Sequence, residues 1–186
     1  MFTVRDFALI SAFAALYLVY GAVSGVSLRA ITLSQDLLFL IAALFAILAI
    51  VVRQAWSATL LGTITGLVFL GTPGAPFPLH ITASLIANGL VFDIYLRLMN
   101  RRTTPPTRWH IVTAATLGNL VMAVVGLSAL QAVGSTWPYY VWAGFVLIGG
   151  LMGAVGASFG LTVVRRMRVS TTAPGRIRVE PSLVRA

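Results

Sequence analysis

The sequence predicts an all-α, polytopic membrane protein, a bundle of six transmembrane helices with both termini in the cytoplasm. Of its 186 residues, 59% are hydrophobic and only 9% are charged, and the mean hydropathy is +0.96. Soluble domains are roughly half apolar and about a quarter charged, so this composition indicates a chain that lies mostly within a bilayer. The number of apolar runs and the distribution of the arginines complete the prediction.

Six apolar runs are each close to the length that crosses a bilayer core, which takes about 20 residues. They predict spans near residues 6–25, 36–52, 55–71, 79–98, 109–131 and 139–164. Residues 1–164 are therefore expected to form one six-helix domain. Residues 165–186 are basic and contain Pro, Gly and Thr, which predicts a flexible cytoplasmic tail with no core of its own.

The arginines predict the orientation, because all 13 basic residues are of this type. Twelve of them lie on the side of the membrane that holds both termini, and only Arg29 lies on the other. The positive-inside rule places the arginine-rich side in the cytoplasm, so a multi-pass protein of the cell membrane is expected. Nucleic acid is not expected as a partner, because a basic segment beside a span marks orientation or contacts anionic lipid.

Missing residue types exclude several kinds of chemistry. The chain has no cysteine and no lysine, which excludes thiol nucleophiles, zinc-thiolate sites, a Walker A lysine and Schiff bases. His80 and His110 are expected at opposite sides of the membrane, so no metal site is predicted. No cofactor or catalytic set is found, and we expect no enzyme. Proton or sodium coupling usually needs buried carboxylates, and Asp93 is the only candidate, which leaves a solute binder or a passive pore.

Polar residues on two spans predict a site near mid-membrane. His80, Ser84 and Asn88 follow at i, i+4 and i+8, so they lie on one face of the fourth span. Asn119 is expected at a similar depth on the fifth span. The two amides are expected to meet, either as a hydrogen bond between helices or as part of a solute pocket, and the sequence leaves both roles open.

Four charged side chains also have candidate partners. Asp93 and Arg97 lie one turn apart at the cytoplasmic end of the fourth span, which predicts a local ion pair. Asp36 is expected at the outer surface, where the second span begins and a carboxylate is favourable. Arg29 is expected to pair either with Asp36 or with an anionic group of a solute.

Two outer segments are candidates to cover such a pocket. GTPGAPFPLH, residues 71–80, contains three prolines and two glycines, which predict a shaped loop that folds back over the bundle. The run WPYYVW, residues 137–142, begins the sixth span. Its rings Trp137 and Tyr140 are either part of an interfacial aromatic belt or a lid that stacks on a flat solute.

Small residues at four-residue spacing predict where helices touch. The predicted contact faces contain Ala8, Ala12 and Ala15 on the first span, Gly62 and Gly66 on the third, and Gly149, Gly153, Gly156 and Gly160 on the sixth. Each face packs either inside the bundle or against a separate membrane partner, and the spacing alone leaves that choice open.

The N-terminal stretch FTVRDFALISAFAALYLVYG, its four-residue spacing of small residues, the proline-rich outer loop and the cytoplasmic termini resemble one known family. This is the substrate-binding S component of energy-coupling factor (ECF) transporters, and the resemblance extends to residue 164. It implies high-affinity capture of a vitamin or similar organic micronutrient from outside. Its partners would be a transmembrane coupling subunit and two cytoplasmic ATPase subunits.

The same resemblance assigns roles to particular residues. Ala8, Ala12 and Ala15 would dock the coupling subunit. The binding loops would hold Arg29, GTPGAPFPLH and the segment from Gln131 to Trp137. The histidine-rich N-terminus of metal-transporting members is absent, which favours an organic solute. The alternative is a small channel or a structural membrane protein without an energised partner.

Overall fold

The structure is a computed structural model, and it describes residues 2–27, 35–71, 78–100, 106–134 and 136–170. These residues form six α-helices and no strand, which confirms the predicted all-helical class. The helices are α1 (Val4–Ser27), α2 (Gln35–Val51), α3 (Ser57–Leu70), α4 (Pro78–Asn100), α5 (Arg108–Ala132) and α6 (Tyr139–Ser170).

The helices differ in their ability to cross a membrane. Four of them, α1, α4, α5 and α6, are long and apolar enough to do so, which makes this a membrane protein. The other two are apolar but short, with 17 residues in α2 and 14 in α3. A straight helix of 14 residues is about 21 Å long, less than the roughly 30 Å of a bilayer core. Four of the six predicted spans are thus long enough in the described residues, and the count of six stays a prediction.

The helix α2 lies at the centre of the bundle. It packs against α1, α3, α5 and α6, whereas the hairpin pairs α3–α4, α4–α5 and α5–α6 and the outermost helix α1 surround it. Its buried residues are Leu38, Ile41, Ala42, Ala43, Leu44, Phe45, Ala46 and Leu48. A helix that is apolar on all sides is expected in this central position.

Glycines set the closest helix contacts, as the sequence predicts. A methyl group at Gly156 or Gly160 of α6 would overlap the carbonyl oxygens of Phe39 and Ala43 on α2. Gly153 of the same helix lies against Ala115 of α5. In lipid, such approach lets van der Waals contact and backbone dipoles hold helices together. The glycine face of α6 therefore packs inside the bundle.

The glycines of α3 make a second close contact. Gly62 lies against the carbonyl of Leu85 on α4, and Gly66 lies against Thr82, whose hydroxyl donates to the Gly66 carbonyl at 2.7 Å. From the other side, Gly89 of α4 lies against Ala58. The predicted contact face of the third span is thus confirmed as internal packing.

The alanine stripe of α1, which consists of Ala8, Ala12 and Ala15, does not pack inside the bundle. Ala8, Ala12 and Ala15 are all exposed on the outside of the bundle, while the inward face of α1 buries Ile10 and Tyr17. The expectation that small residues mark contacts with other helices is therefore not met within this chain at α1. The stripe is available to lipid or to a separate membrane protein.

Asp93 does not form the ion pair that its spacing with Arg97 predicts. Its carboxylate Oδ2 accepts hydrogen bonds from the backbone N–H and the hydroxyl of Thr59, each at 2.7 Å. Thr59 lies in the first turn of α3, where N–H groups have no partner within the helix. Asp93 therefore caps α3 from a neighbouring helix, and the Arg97 guanidinium lies 5.6 Å from the ring centre of Trp56 instead.

The last helix is longer than predicted. It continues to Ser170, so the first six residues of the expected tail, 165–170, are helical. Arg165 and Arg166 are exposed on this extension. The rest of the predicted tail, residues 171–186, lies outside the described residues.

One end of the bundle contains the last residues of α1, α3 and α5 and the first residues of α4 and α6. We call it the outer end, because the arginines predict that it faces outward.

This predicted orientation can be tested because the chain has no cysteine of its own. Single cysteines introduced by Ala75→Cys and Thr104→Cys are expected to react with an impermeant maleimide from opposite sides of sealed vesicles, Ala75→Cys from outside. Labelling of both from the same side would contradict the membrane crossing by α4, which separates the two positions, and with it the six-span topology.

Candidate functional site

The two predicted amides meet at the middle of the bundle. Asn119 lies 11 residues after the start of α5 and 13 before its end, and Asn88 is near the middle of α4. The Asn88 Nδ2 donates to Asn119 Oδ1 at 3.0 Å. Both side chains are 0% exposed, so the prediction that they come together across two helices is confirmed.

Asn119 extends this contact to two further helices. Its Nδ2 donates to the carbonyl oxygen of Leu38 on α2 at 3.0 Å and to that of Gly149 on α6 at 3.2 Å. These two acceptors determine which end of the Asn119 amide is nitrogen, and hence that Asn88 must be the donor in the pair. One buried side chain thus links α2, α4, α5 and α6.

Asn88 packs closely against Gly118 and Met122 of α5. The Asn88 Nδ2 also lies 3.2 Å from the sulfur of Met122, and a methyl group at Gly118 would overlap the Asn88 Oδ1. Within the described residues, that oxygen has no hydrogen-bond partner. Gly118 and Met122 were not among the predicted site residues, although the spacing of Gly118, Met122 and Gly126 at every fourth position on α5 is a signal that marks the facing surface.

The amide donors are therefore occupied by protein acceptors. This is the structural role that the sequence leaves open beside solute binding, and it requires no ligand. Direct contact of either amide with a solute stays a prediction.

The polar face of α4 lies along α5. Ser84 is buried, its hydroxyl donates to the carbonyl of His80 in the preceding turn, and its oxygen is the nearest neighbour of Gly126 on α5. His80 is half-exposed near the start of α4. The predicted face of His80, Ser84 and Asn88 therefore exists, but its two inner members lie between helices.

The start of α2 lies deep in the bundle. Gln35, its first residue, is only three residues before Leu38, which contacts Asn119 at the mid-level of α5. At about 1.5 Å per residue, α2 begins roughly 5 Å above that level, whereas α5 continues about 20 Å and α6 about 15 Å beyond it. The described helices thus leave the outer half of the bundle axis without a central helix. We call this region, beyond Gln35, the outer axial space.

This depth corrects the expected position of Asp36. The carboxylate was expected at the outer surface, but the second residue of α2 lies near mid-bundle for the reason just given. The Tyr20 hydroxyl of α1 is hydrogen-bonded to the Asp36 carboxylate. Gln35, Asp36 and Leu37 are partly buried and Leu38 is buried, and the Oε1 atom of Gln35 and the Oδ2 atom of Asp36 are themselves buried. The first turn of α2 therefore lies at the inner end of the outer axial space.

The remaining predicted site residues lie at the outer end or outside the described residues. Gln131 is exposed in the last turn of α5, Trp137 is 50% exposed and Tyr140 is 77% exposed. Such exposure suits the predicted aromatic belt. Arg29 and most of GTPGAPFPLH, residues 72–77, lie outside the described residues. No group of three or more potential metal ligands occurs in the part of the chain that the structure describes.

Comparison with protein-family models, with curated proteins and with solved structures found no match to this chain.

Proposed function

We propose that this chain is the membrane-embedded solute-binding subunit of an uptake system of the ECF type, and that it captures a vitamin or similar organic micronutrient. Partner subunits, a transmembrane coupling protein and two cytoplasmic ATPases, supply the energy. The observation that carries the proposal is the mid-bundle start of the central helix α2.

The outer axial space supports the binding part of this proposal. Ligand sites in helical bundles lie between helices, and they combine apolar walls with a few polar groups. Here the first turn of α2 carries the polar side chains Gln35 and Asp36, and α4, α5 and α6 extend beyond its level toward the outer end. The exposed Trp137 and Tyr140 stand at the outer end of the same helices, where a solute would enter.

The inner half of the bundle supports the need for an energised partner. Along the axis below Leu38, the side chains of Ile41, Phe45 and Leu48 are all 0% exposed. The described residues therefore fill the path from the site to the cytoplasmic end. A passive pore needs a continuous path, whereas release of solute to the inside of this bundle requires helices to move.

The exposed alanine stripe of α1 supports docking of a membrane partner. Ala8, Ala12 and Ala15 are exposed although small residues let helix backbones approach closely. The helix α1 is also the least buried of the four long helices. A partner helix can therefore reach this stripe without any change inside the bundle.

Binding and docking are expected to separate in one experiment. The full chain, purified in lipid nanodiscs, is incubated with a protein-free small-molecule extract of whole cells, and the retained molecules are identified by mass spectrometry. ATPase activity that co-purifies with the chain from its natural membranes is measured in parallel. Ala12→Leu is expected to abolish the co-purifying ATPase activity while solute retention stays within about twofold of the parent, since its side chain faces outward.

Ala83→Leu is the matched control, because Ala83 is an exposed alanine on α4, away from the stripe. It is expected to keep both properties. Retention of no small molecule by the parent chain would reject the proposed function in favour of a structural membrane protein. Loss of solute binding in Ala12→Leu with ATPase activity retained would reject the docking surface.

A further inference from the structure

The turn between α2 and α3 has an unusual backbone. Two of its residues, Arg53 and Trp56, have left-handed φ angles of 54° and 72°, a conformation that costs free energy for a bulky side chain. Trp56 is also the N-cap residue of α3, yet its side chain makes no capping hydrogen bond, and Asp93 caps the first turn through Thr59 instead. Neither backbone preference nor helix capping therefore explains a tryptophan at this position.

The Trp56 ring lies beside Arg97 at the cytoplasmic edge of the bundle. The Arg97 guanidinium is 5.6 Å from the ring centre, and both side chains are exposed. The candidate membrane span of α4 ends at Met99, so Arg97 and Trp56 lie where acyl chains meet headgroups. Tryptophan is enriched at this depth because its ring is apolar and its N–H is polar.

Arg53 and Arg97 both have N–H groups that can meet an anion. The Arg53 Nε donates to the carbonyl oxygen of Ile50 at 3.1 Å, which uses one of the five donors of a guanidinium. The contact of Arg97 with the Trp56 ring is a cation–π contact and uses no hydrogen bond. Arg53 is close to Trp56 in the same turn, with Cα atoms at most about 11 Å apart.

The chain has too few carboxylates to neutralise its arginines. It contains 13 basic residues, all arginine, and four acidic residues. Three of the four acids lie within the described residues, and each accepts a hydrogen bond from another group: Asp6, Asp36 and Asp93. Most of the arginines therefore have to be neutralised by anions from outside the chain.

We propose that Arg53, Trp56 and Arg97 bind the phosphate headgroup of an anionic phospholipid from the cytoplasmic leaflet. The guanidinium groups donate to the phosphate oxygens, which they match in geometry, and the Trp56 ring lies against the start of the acyl chains. Anionic lipid is abundant in this leaflet, so the ligand is present at the depth of the site. This inference goes beyond the proposed function and does not depend on a solute.

Native mass spectrometry of the full chain measures this binding directly. The chain, purified in detergent, is mixed with equal amounts of phosphatidylglycerol, which is anionic, and phosphatidylcholine, which is not. The parent is expected to retain phosphatidylglycerol preferentially. Arg53→Gln and Arg97→Gln are each expected to weaken this retention about three- to tenfold, because each removes charge-assisted hydrogen bonds to the phosphate.

Arg166→Gln is the matched control. Arg166 is an exposed arginine on α6, and α6 packs mainly on α2 and α5 rather than on α3 or α4. The substitution removes the same charge from the same end of the bundle. Because exposed charges at a distance are screened, this variant is expected to retain phosphatidylglycerol within about twofold of the parent.

Three results would overturn the inference. The first is equal retention of the two lipids by the parent. The second is an equal loss in the control and in both site variants, which would show general attraction of a basic surface for anionic lipid. The third is full displacement of phosphatidylglycerol by inorganic phosphate, which would indicate a site for a free anion. If Arg97→Gln fails to fold, as judged by its melting temperature, the comparison of Arg53→Gln with Arg166→Gln decides, because Arg53 is exposed in a turn.

Discussion

Replacing Gly156 by alanine is expected to lower the free energy of unfolding by about 1–3 kcal/mol, the usual effect of overpacking a close contact. The methyl group would overlap the Phe39 carbonyl of α2. A backbone atom cannot turn away as a flexible side chain can, so α2 and α6 must separate. Because α2 is the central helix, this separation also loosens its contacts with α1, α3 and α5. Thermal unfolding in a mild detergent measures the effect.

Gly144→Ala provides the matched control on the same helix. No atom lies within 4 Å of the position where its methyl group would be. Alanine favours a helix over glycine by about 1 kcal/mol, so this variant is expected to be as stable as the parent or slightly more so. Equal melting temperatures for both variants would contradict the close packing of α2 on α6.

The helices themselves could be predicted from the sequence because each apolar run ends at a charged residue, a proline or a glycine. The run 79–98 becomes Pro78–Asn100, and the run 109–131 becomes Arg108–Ala132. The glycine faces of α3 and α6 were also predictable, since residues four apart share one face of a helix. The exposed alanines of α1 show the limit of that rule, because spacing identifies a contact face without identifying its partner.

The depth of α2 could not be predicted. The length of an apolar run predicts the length of a helix. The position of that helix along the bundle axis is determined by tertiary contacts, here of Leu38 with Asn119 and of Phe39 with Gly156. Asp36 was therefore assigned to the outer surface. The same limit applies to Asp93, whose bond to Thr59 depends on the close approach of α3 to Gly89. From local spacing alone, the predicted partner of Asp93 is Arg97.

The candidate site was predictable only in part, because tertiary contacts determine the rest of it. Equal depth on neighbouring spans was enough to bring Asn88 and Asn119 together. The acceptors of Asn119 are 81 and 30 residues away in the chain, and backbone carbonyls carry no signal of their own in a sequence. The structural role of the amides therefore became visible only in the fold.

Removing the Asn119 side chain is expected to be the most damaging change at the bundle centre. Asn119→Ala deletes its three hydrogen bonds to Asn88, Leu38 and Gly149. Such bonds within membranes average about 0.6 kcal/mol each, so a loss of about 2 kcal/mol is expected, with a further cost because the buried Asn88 amide loses its oxygen acceptor. Asn88→Ala deletes only one of the three and is expected to cost about 1 kcal/mol.

A double-mutant cycle and a binding assay together distinguish the two roles of these amides. If the pair is a structural link, the coupling energy between Asn88→Ala and Asn119→Ala is about 0.6–1.7 kcal/mol, and both variants melt lower yet retain the solute of the parent chain. If the amides face the solute, each variant instead binds roughly tenfold or more weakly. Asp93→Asn is the control, because its carboxylate caps α3 and contacts neither amide; it is expected to lower the melting temperature and leave binding unchanged. The contacts of Asn119 with two backbone carbonyls favour the first outcome, since both of its donors are already used.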